Sequence, residues 1–141
     1  MKTTTNIVVV APTSLVQRIP RAKLLVFEEE VKKLPQEHVE LKHMFAQGVY
    51  AREGFLKAGL VFTGKIHTQS QINILSRGHV TVVTEEGKEE YIAPASWVSP
   101  AGVKRLCYVH EDSVWTTILG TNETDISTIE NTLVLDKYKE E

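Results

Sequence analysis

From Val39 to Leu119, apolar and polar residues alternate in short runs, each closed by residues that favour turns. A period of two places one face of a strand in a core and the other in water. On this basis Leu41–Phe45, Val49–Ala51, Ile72–Leu75, Val80–Thr84, Glu90–Ile92, Arg105–His110 and Val114–Leu119 are predicted strands. Gly48, Gly54, Gly59, Gly64, Gly78, Glu86-Gly87, Pro94, Pro100-Ala101-Gly102 and Glu111-Asp112-Ser113 read as the turns between them. Strands of this length at intervals of about 8–12 residues predict an antiparallel barrel or sandwich rather than a parallel α/β sheet.

The flanks carry a different pattern. Residues 1–47 lack this regularity and read as an N-terminal extension. Ile7–Val10 is predicted as a short strand, and Arg21–Leu34 as a helix with Leu24, Leu25, Phe27, Val31 and Leu34 at helical spacing. Glu28, Glu29 and Glu30 precede Lys32 and Lys33, the order the helix dipole favours, and the run reads as a solvated face. Pro35 ends the helix. After the barrel, Thr124–Thr132 is a predicted short helix with Asp125 near its start, followed by a charged tail, Asp136–Glu141. The boundaries are therefore 1–47, a β-barrel over 48–120, and 121–141.

Composition narrows the class. A chain of 141 residues with 42% hydrophobic and 24% charged positions suits one globular domain. A formal charge of −2 gives no case for nucleic acid or an anionic membrane surface. No apolar run approaches the roughly 20 residues of a membrane-spanning helix. The single Cys107 excludes an internal disulfide framework and a cysteine-based zinc site. These absences together point to a cytoplasmic protein.

Candidate chemistry lies between Lys65 and Asn73. Taken as a strand, positions 65, 67, 69, 71 and 73 share one face and are Lys, His, Gln, Gln and Asn. Ile66, Ile72 and Ile74 share the other. Turned inward, so many polar groups need partners, because an unpaired buried donor costs about 1–3 kcal/mol. His38, His43, His79 and His110 share no common spacing and read as surface or core histidines. Trp97 and Trp115 read as core or interface area.

The stretch Gly59-Leu-Val-Phe-Thr-Gly-Lys65-Ile-His67-Thr-Gln-Ser-Gln71-Ile-Asn-Ile-Leu-Ser-Arg-Gly78 resembles the first motif of the cupin superfamily in spacing. Lys65 stands at the first metal-binding His position and Gln71 at the Glu position; His67 alone keeps the ligand identity. Pro94–Val109 resembles the second motif through Pro100-Ala-Gly102, with Arg105 at the third His position and Pro94 and Val109 in place of Gly and Asn. The resemblance implies a mainly β fold, the cupin-type antiparallel double-stranded β-helix barrel. It also implies that Lys65, His67, Gln71 and Arg105 point into one cavity. Gly48-Val-Tyr-Ala-Arg52, Gly64-Lys-Ile-His67, Ile74-Leu-Ser-Arg-Gly78, Ser99-Pro-Ala-Gly102 and Lys104-Arg105 further resemble small cupin-like proteins of tailed phages, which implies action in the cytoplasm of an infected host or carriage in a virion.

A metal held in the usual cupin manner is disfavoured, since a protonated Lys65 and Arg105 offer no lone pair and repel a dication. Neither a metal, a cofactor nor a catalytic residue is expected. The expected ligand is a small anion (a nucleotide-type signal, a sugar phosphate or a carboxylate) held by Lys65, His67, Gln71, Asn73, Lys104 and Arg105. Cys107 keeps step with Arg105 and reads as a buried, inert thiol. Two other readings stay open: a metal-dependent cupin enzyme using His67 with Gln71 or His110, and a phage structural or assembly protein without a ligand. Without a ligand, Lys65 and Arg105 would pair with Glu53, Glu85, Glu89 or Glu90. Open strand edges predict a homodimer or a higher symmetric assembly.

Overall fold

The computed structural model describes residues 3–5 and 20–135. The predicted Ile7–Val10 strand and the Asp136–Glu141 tail lie outside the described residues. In chain order the elements are β1 (Thr3–Thr5), α1 (Arg21–Lys32), β2 (Gln36–Glu37), β3 (Glu40–Ala46), β4 (Val49–Leu56), β5 (Leu60–Gly64), β6 (Ile66–His67), β7 (Gln71–Thr84), β8 (Gly87–Ile92), β9 (Ala95–Ser99), β10 (Arg105–Gly120), α2 (Ile126–Leu133) and β11 (Val134–Leu135). Every strand pairing is antiparallel.

Two long strands organise the barrel. The first part of β10 pairs with β5 and its last part with β4, while β7 runs along its other side. β7 in turn pairs with β9 over Gln71–Leu75 and with β8 over His79–Thr84. Both long strands therefore pass from one layer of the barrel to the other, and both must bend midway. β10 bends through register shifts between Val109 and Trp115, where extra residues increase local twist. β7 bends at Gly78, whose φ is +97°. Four predicted strands thus merge into two, with Gly78 and Glu111-Asp112-Ser113 inside them rather than between them.

Gly78 is required there on two grounds. A left-handed backbone suits glycine, and a Cβ at this position would stand 2.0 Å from Ser113 Oγ and 2.6 Å from the Asp112 carbonyl oxygen. Ser113 is held at this crossing by donating to the Glu111 carbonyl at 2.7 Å and accepting from the His79 amide at 3.1 Å. Gly78→Ala is expected to destabilise by about 3 kcal/mol through strain and overpacking, measured by urea unfolding. A loss below about 1 kcal/mol would contradict this account of the bend.

β3 pairs with β4 from Glu40 to Ala46, so the sheet begins before residue 48. The interior at one end is packed by Leu56, Leu60, Leu75, Val80, Val82, Cys107 and Val109. α1 buries Leu24 and Val31, and against the expectation of a wholly solvated charged face it also buries Glu28. Glu29 and Glu30 remain exposed and pair with Lys32 and Lys33 at 3.4 and 3.1 Å. α2 packs Ile129 on Tyr50 and Leu119; Asp125 caps it by accepting from the Ser127 amide at 3.1 Å. Among the described residues no helix is long and apolar enough to cross a membrane.

Candidate functional site

Alternation along the start of β7 turns Gln71 and Asn73 inward and leaves Ile72 and Ile74 exposed, as the sequence pattern predicts. The expected strand over 65–73 is broken between β6 and β7, and Ile66, expected on the outer face, is buried. β10 enters opposite Gly64, with Arg105 paired to it in register. Arg105 is buried, as are Trp115 and Thr117 further along the same strand. β4 adds Arg52 from the side opposite β7. These elements enclose a cavity of about 70 Å³, lined by Arg52, Lys65, His67, Arg105, Trp115 and Thr117 with Val39, Leu41, Gly54, Leu56, Phe62 and Gly64. The lining therefore mixes cationic and apolar side chains.

Arg105 is held by neutral groups. With the Gln71 amide turned so that both its ends are satisfied, its oxygen accepts from Arg105 Nη2 at 2.8 Å and its nitrogen donates to His67 Nδ1 at 3.1 Å. Arg105 Nη1 reaches Ser99 Oγ at 3.4 Å and Asn73 Oδ1 at 3.5 Å. Asn73 Oδ1 also accepts from Trp115 Nε1 at 3.0 Å and Thr117 Oγ1 at 3.3 Å, and Asn73 Nδ2 donates to Ser99 at 2.9 Å. The guanidinium lies over the Trp115 ring, 5.7 Å from its centroid. Gln71 and Asn73 are thus engaged in fixing Arg105 and are not among the lining residues.

The expected carboxylate partners are elsewhere. Glu85 is bonded by Arg21 at 2.9 Å, Glu90 contacts His79, and Glu53 accepts from Thr116 at 3.5 Å. Among the described residues, no carboxylate lies within ion-pair distance of Arg52 or Arg105. Burial lowers the pKa of both guanidinium groups, and Arg105 adds to the lowering at Arg52. Both nevertheless remain cations at neutral pH.

His67 is buried and its pKa is lowered to about 3, first by desolvation and then by Arg105 and Arg52. It is neutral at pH 7, so the cationic trio expected from sequence becomes two arginines, Lys65 and a neutral imidazole. The unfolded chain binds the His67 proton below pH 6.5 and the folded chain does not until near pH 3, so stability falls as pH drops through that window. The slope is about 1.4 kcal/mol per pH unit. Between pH 6.5 and 4.5 the wild type is expected to lose about 2–3 kcal/mol more than His67→Gln in urea unfolding; parallel losses would contradict it.

Lys104, expected beside Arg105, turns away and is not among the lining residues. It is 1% exposed and ion-paired with Glu28 of α1. His110 likewise stands outside the cavity lining, so His67 and His110 are not brought together. Cys107 is buried in the core, where burial pushes its thiol up to about 12, which leaves it unreactive. Arg52 was not a predicted site residue, though a signal existed. Tyr50, Gly54 and Leu56 are all buried, and position 52 shares their phase.

The donor set does not fit the metal that this fold commonly holds. Of the four corresponding positions only His67 is a good ligand, and it is hemmed by guanidinium groups that repel a dication.

No protein-family model matches the chain, and no curated protein matches it. Solved structures do match. A cupin-2 domain protein from Shewanella frigidimarina is 12% identical with a TM-score of 0.52, over 67% of this chain and 92% of its own. KdgF from a Halomonas species is 18% identical with a TM-score of 0.53, over 62% and 81%. An RmlC-like cupin family protein with a double-stranded β-helix fold from Methanocaldococcus jannaschii is 13% identical with a TM-score of 0.52, over 60% and 82%. The chain has the cupin β-barrel fold.

Proposed function

We propose that the protein binds a small organic anion inside the barrel, without a metal, and that a carboxylate with a short apolar body suits it best. The observation that carries this reading is the pair Arg52 and Arg105, two guanidinium groups turned into one cavity with no carboxylate at ion-pair distance among the described residues. A buried cation without a counter-charge is costly. A carboxylate supplies that charge and accepts from both planar forks.

Size and polarity choose among anions. At roughly 10–15 Å³ per water by the same measure, a cavity of about 70 Å³ holds a carboxylate head and a few carbons. Val39, Leu41, Leu56, Phe62 and Trp115 form the apolar wall for that body. A nucleotide or sugar phosphate would leave most of itself outside. No Asp, Glu or Cys joins Lys65 and the weakly basic His67 in the cavity lining, and the proposed role is capture rather than turnover. The likeness of Gly48–Arg52, Gly64–His67 and Ile74–Gly78 to tailed-phage proteins extends the proposal to a phage-encoded factor that sequesters a host metabolite.

Thermal unfolding in acetate, butyrate, phosphate and adenosine monophosphate tests this reading. A ligand at about 100 times its dissociation constant adds about 2.7 kcal/mol, and butyrate is expected to give the largest shift. Stabilisation by the nucleotide alone would overturn the carboxylate assignment, and none by any anion would overturn the site.

A second copy of the chain belongs to the proposal. Among the described residues β9 pairs only with β7, and Val98 beside Ile72 leaves an apolar outer face, 66% and 48% exposed. Light scattering is expected to give a dimer mass; a monomer mass across a wide concentration range would count against it.

A further inference from the structure

We propose a second site on the outer face of the barrel, where His79, Glu90 and His110 bind a zinc-class divalent cation independently of the anion cavity. The three residues come from adjacent strands, β7, β8 and β10. Glu90 stands opposite Thr81 on β7, two positions from His79 and on the same face. His110 reaches that face through a defect in the ladder. Val109 pairs with Val80 and Glu111 with His79, so His110 is the additional residue between them. A bulge of this kind re-aims a side chain, and here it stacks the His110 ring on His79 with centroids 4.1 Å apart.

One ligand atom from each residue lies within 4.8 Å of the others. Two ligands on one metal at the usual zinc distances are at most about 4.2 Å apart, so the cluster is slightly open. Glu90, 48% exposed, is the member with room to close it, and its carboxylate already contacts His79 Nε2. The imidazoles are held more firmly. His79 is 22% exposed, and Thr81 Oγ1 bonds His110 Nε2 at 2.6 Å while Tyr108 packs edge-on against its ring. Hydrogen-bonded support of this type orients metal-binding imidazoles.

The donor set selects the metal class. Two imidazoles and one carboxylate suit zinc, nickel or cobalt and not magnesium or calcium, which require oxygen. Three protein ligands on an open face leave the fourth position to water or to a ligand from outside.

The test is titration of the purified full-length protein with Zn²⁺ against a chromophoric chelator, with the imidazole nitrogens followed by NMR. One equivalent is expected to bind, shifting His79 and His110 and leaving His67 unmoved. His79→Gln and His110→Gln are each expected to weaken binding at least tenfold. Binding that survives the double replacement, shifts at His67 instead, or no binding above that of isolated surface histidines would each overturn the site. The NMR arm uses the unaltered protein and holds whether or not the variants fold.

Discussion

Arg105→Met is expected to abolish the response to small anions while leaving the unliganded protein within about 1 kcal/mol of its original stability. Two opposing effects meet at this position. Replacement removes a buried charge that no carboxylate offsets, which favours the folded state. It also withdraws donors from the Gln71 oxygen at 2.8 Å and from Asn73 and Ser99. Asn73 Oδ1 keeps Trp115 and Thr117, and Ser99 keeps Asn73, so Gln71 is the one acceptor left short. An unsatisfied buried acceptor costs about 1–3 kcal/mol, similar in size to the gain from removing the charge. Methionine keeps much of the volume over Trp115 and avoids a cavity. Had Arg105 been half of an internal ion pair, its removal would strand a carboxylate at a cost of about 3–5 kcal/mol. A loss of that size in urea unfolding would end the binding assignment, as would undiminished stabilisation of Arg105→Met by butyrate.

Much of the fold was legible because alternation and glycine spacing are local signals. The phase of Gln71 and Asn73 placed their side chains correctly, and the two cupin-like spacings, Gly59–Gly78 for His67 and Pro94–Val109 for Arg105, put both residues into one cavity. Bends inside strands were less legible. Gly54, Gly78 and Glu111–Ser113 look like turns because turn residues also serve where a paired strand must twist or approach another closely. Reading Gly54 as a turn ended the predicted strand at Ala51 and hid Arg52, whose inward phase is plain once β4 runs to Leu56. β5 and β9 were missed as well, being short and bounded by residues already assigned to turns. Metal-ligand spacing could not reveal the His79–Glu90–His110 cluster, because the pairing of three strands, with a register shift between β7 and β10, creates it.

Pattern was least informative for Glu28 and Lys104, whose positions depend on how α1 docks. In sequence Glu28 belongs to an acidic run and Lys104 sits beside a cavity arginine. Docking of α1 buries both, at 6% and 1% exposure, where they form an ion pair. Thr63 of β5 donates to Glu28 Oε2 at 2.6 Å, so a barrel strand and the loop before β10 converge on this one helical carboxylate. Neither charge has water to turn to if the other is lost. Glu28→Ala is therefore expected to cost about 3–5 kcal/mol, most of it from stranding the Lys104 ammonium. The double replacement Glu28→Gln with Lys104→Met removes both charges together and is expected to recover most of that loss, since buried pairs exchanged for neutral side chains of similar size are often close to neutral. Urea unfolding of the two single variants and the double variant measures the coupling. Additive losses would show that the pair does not hold α1 on the barrel. Strong coupling, with the anion response intact in the double variant, would separate the lysine that anchors the helix from the arginines that face the cavity.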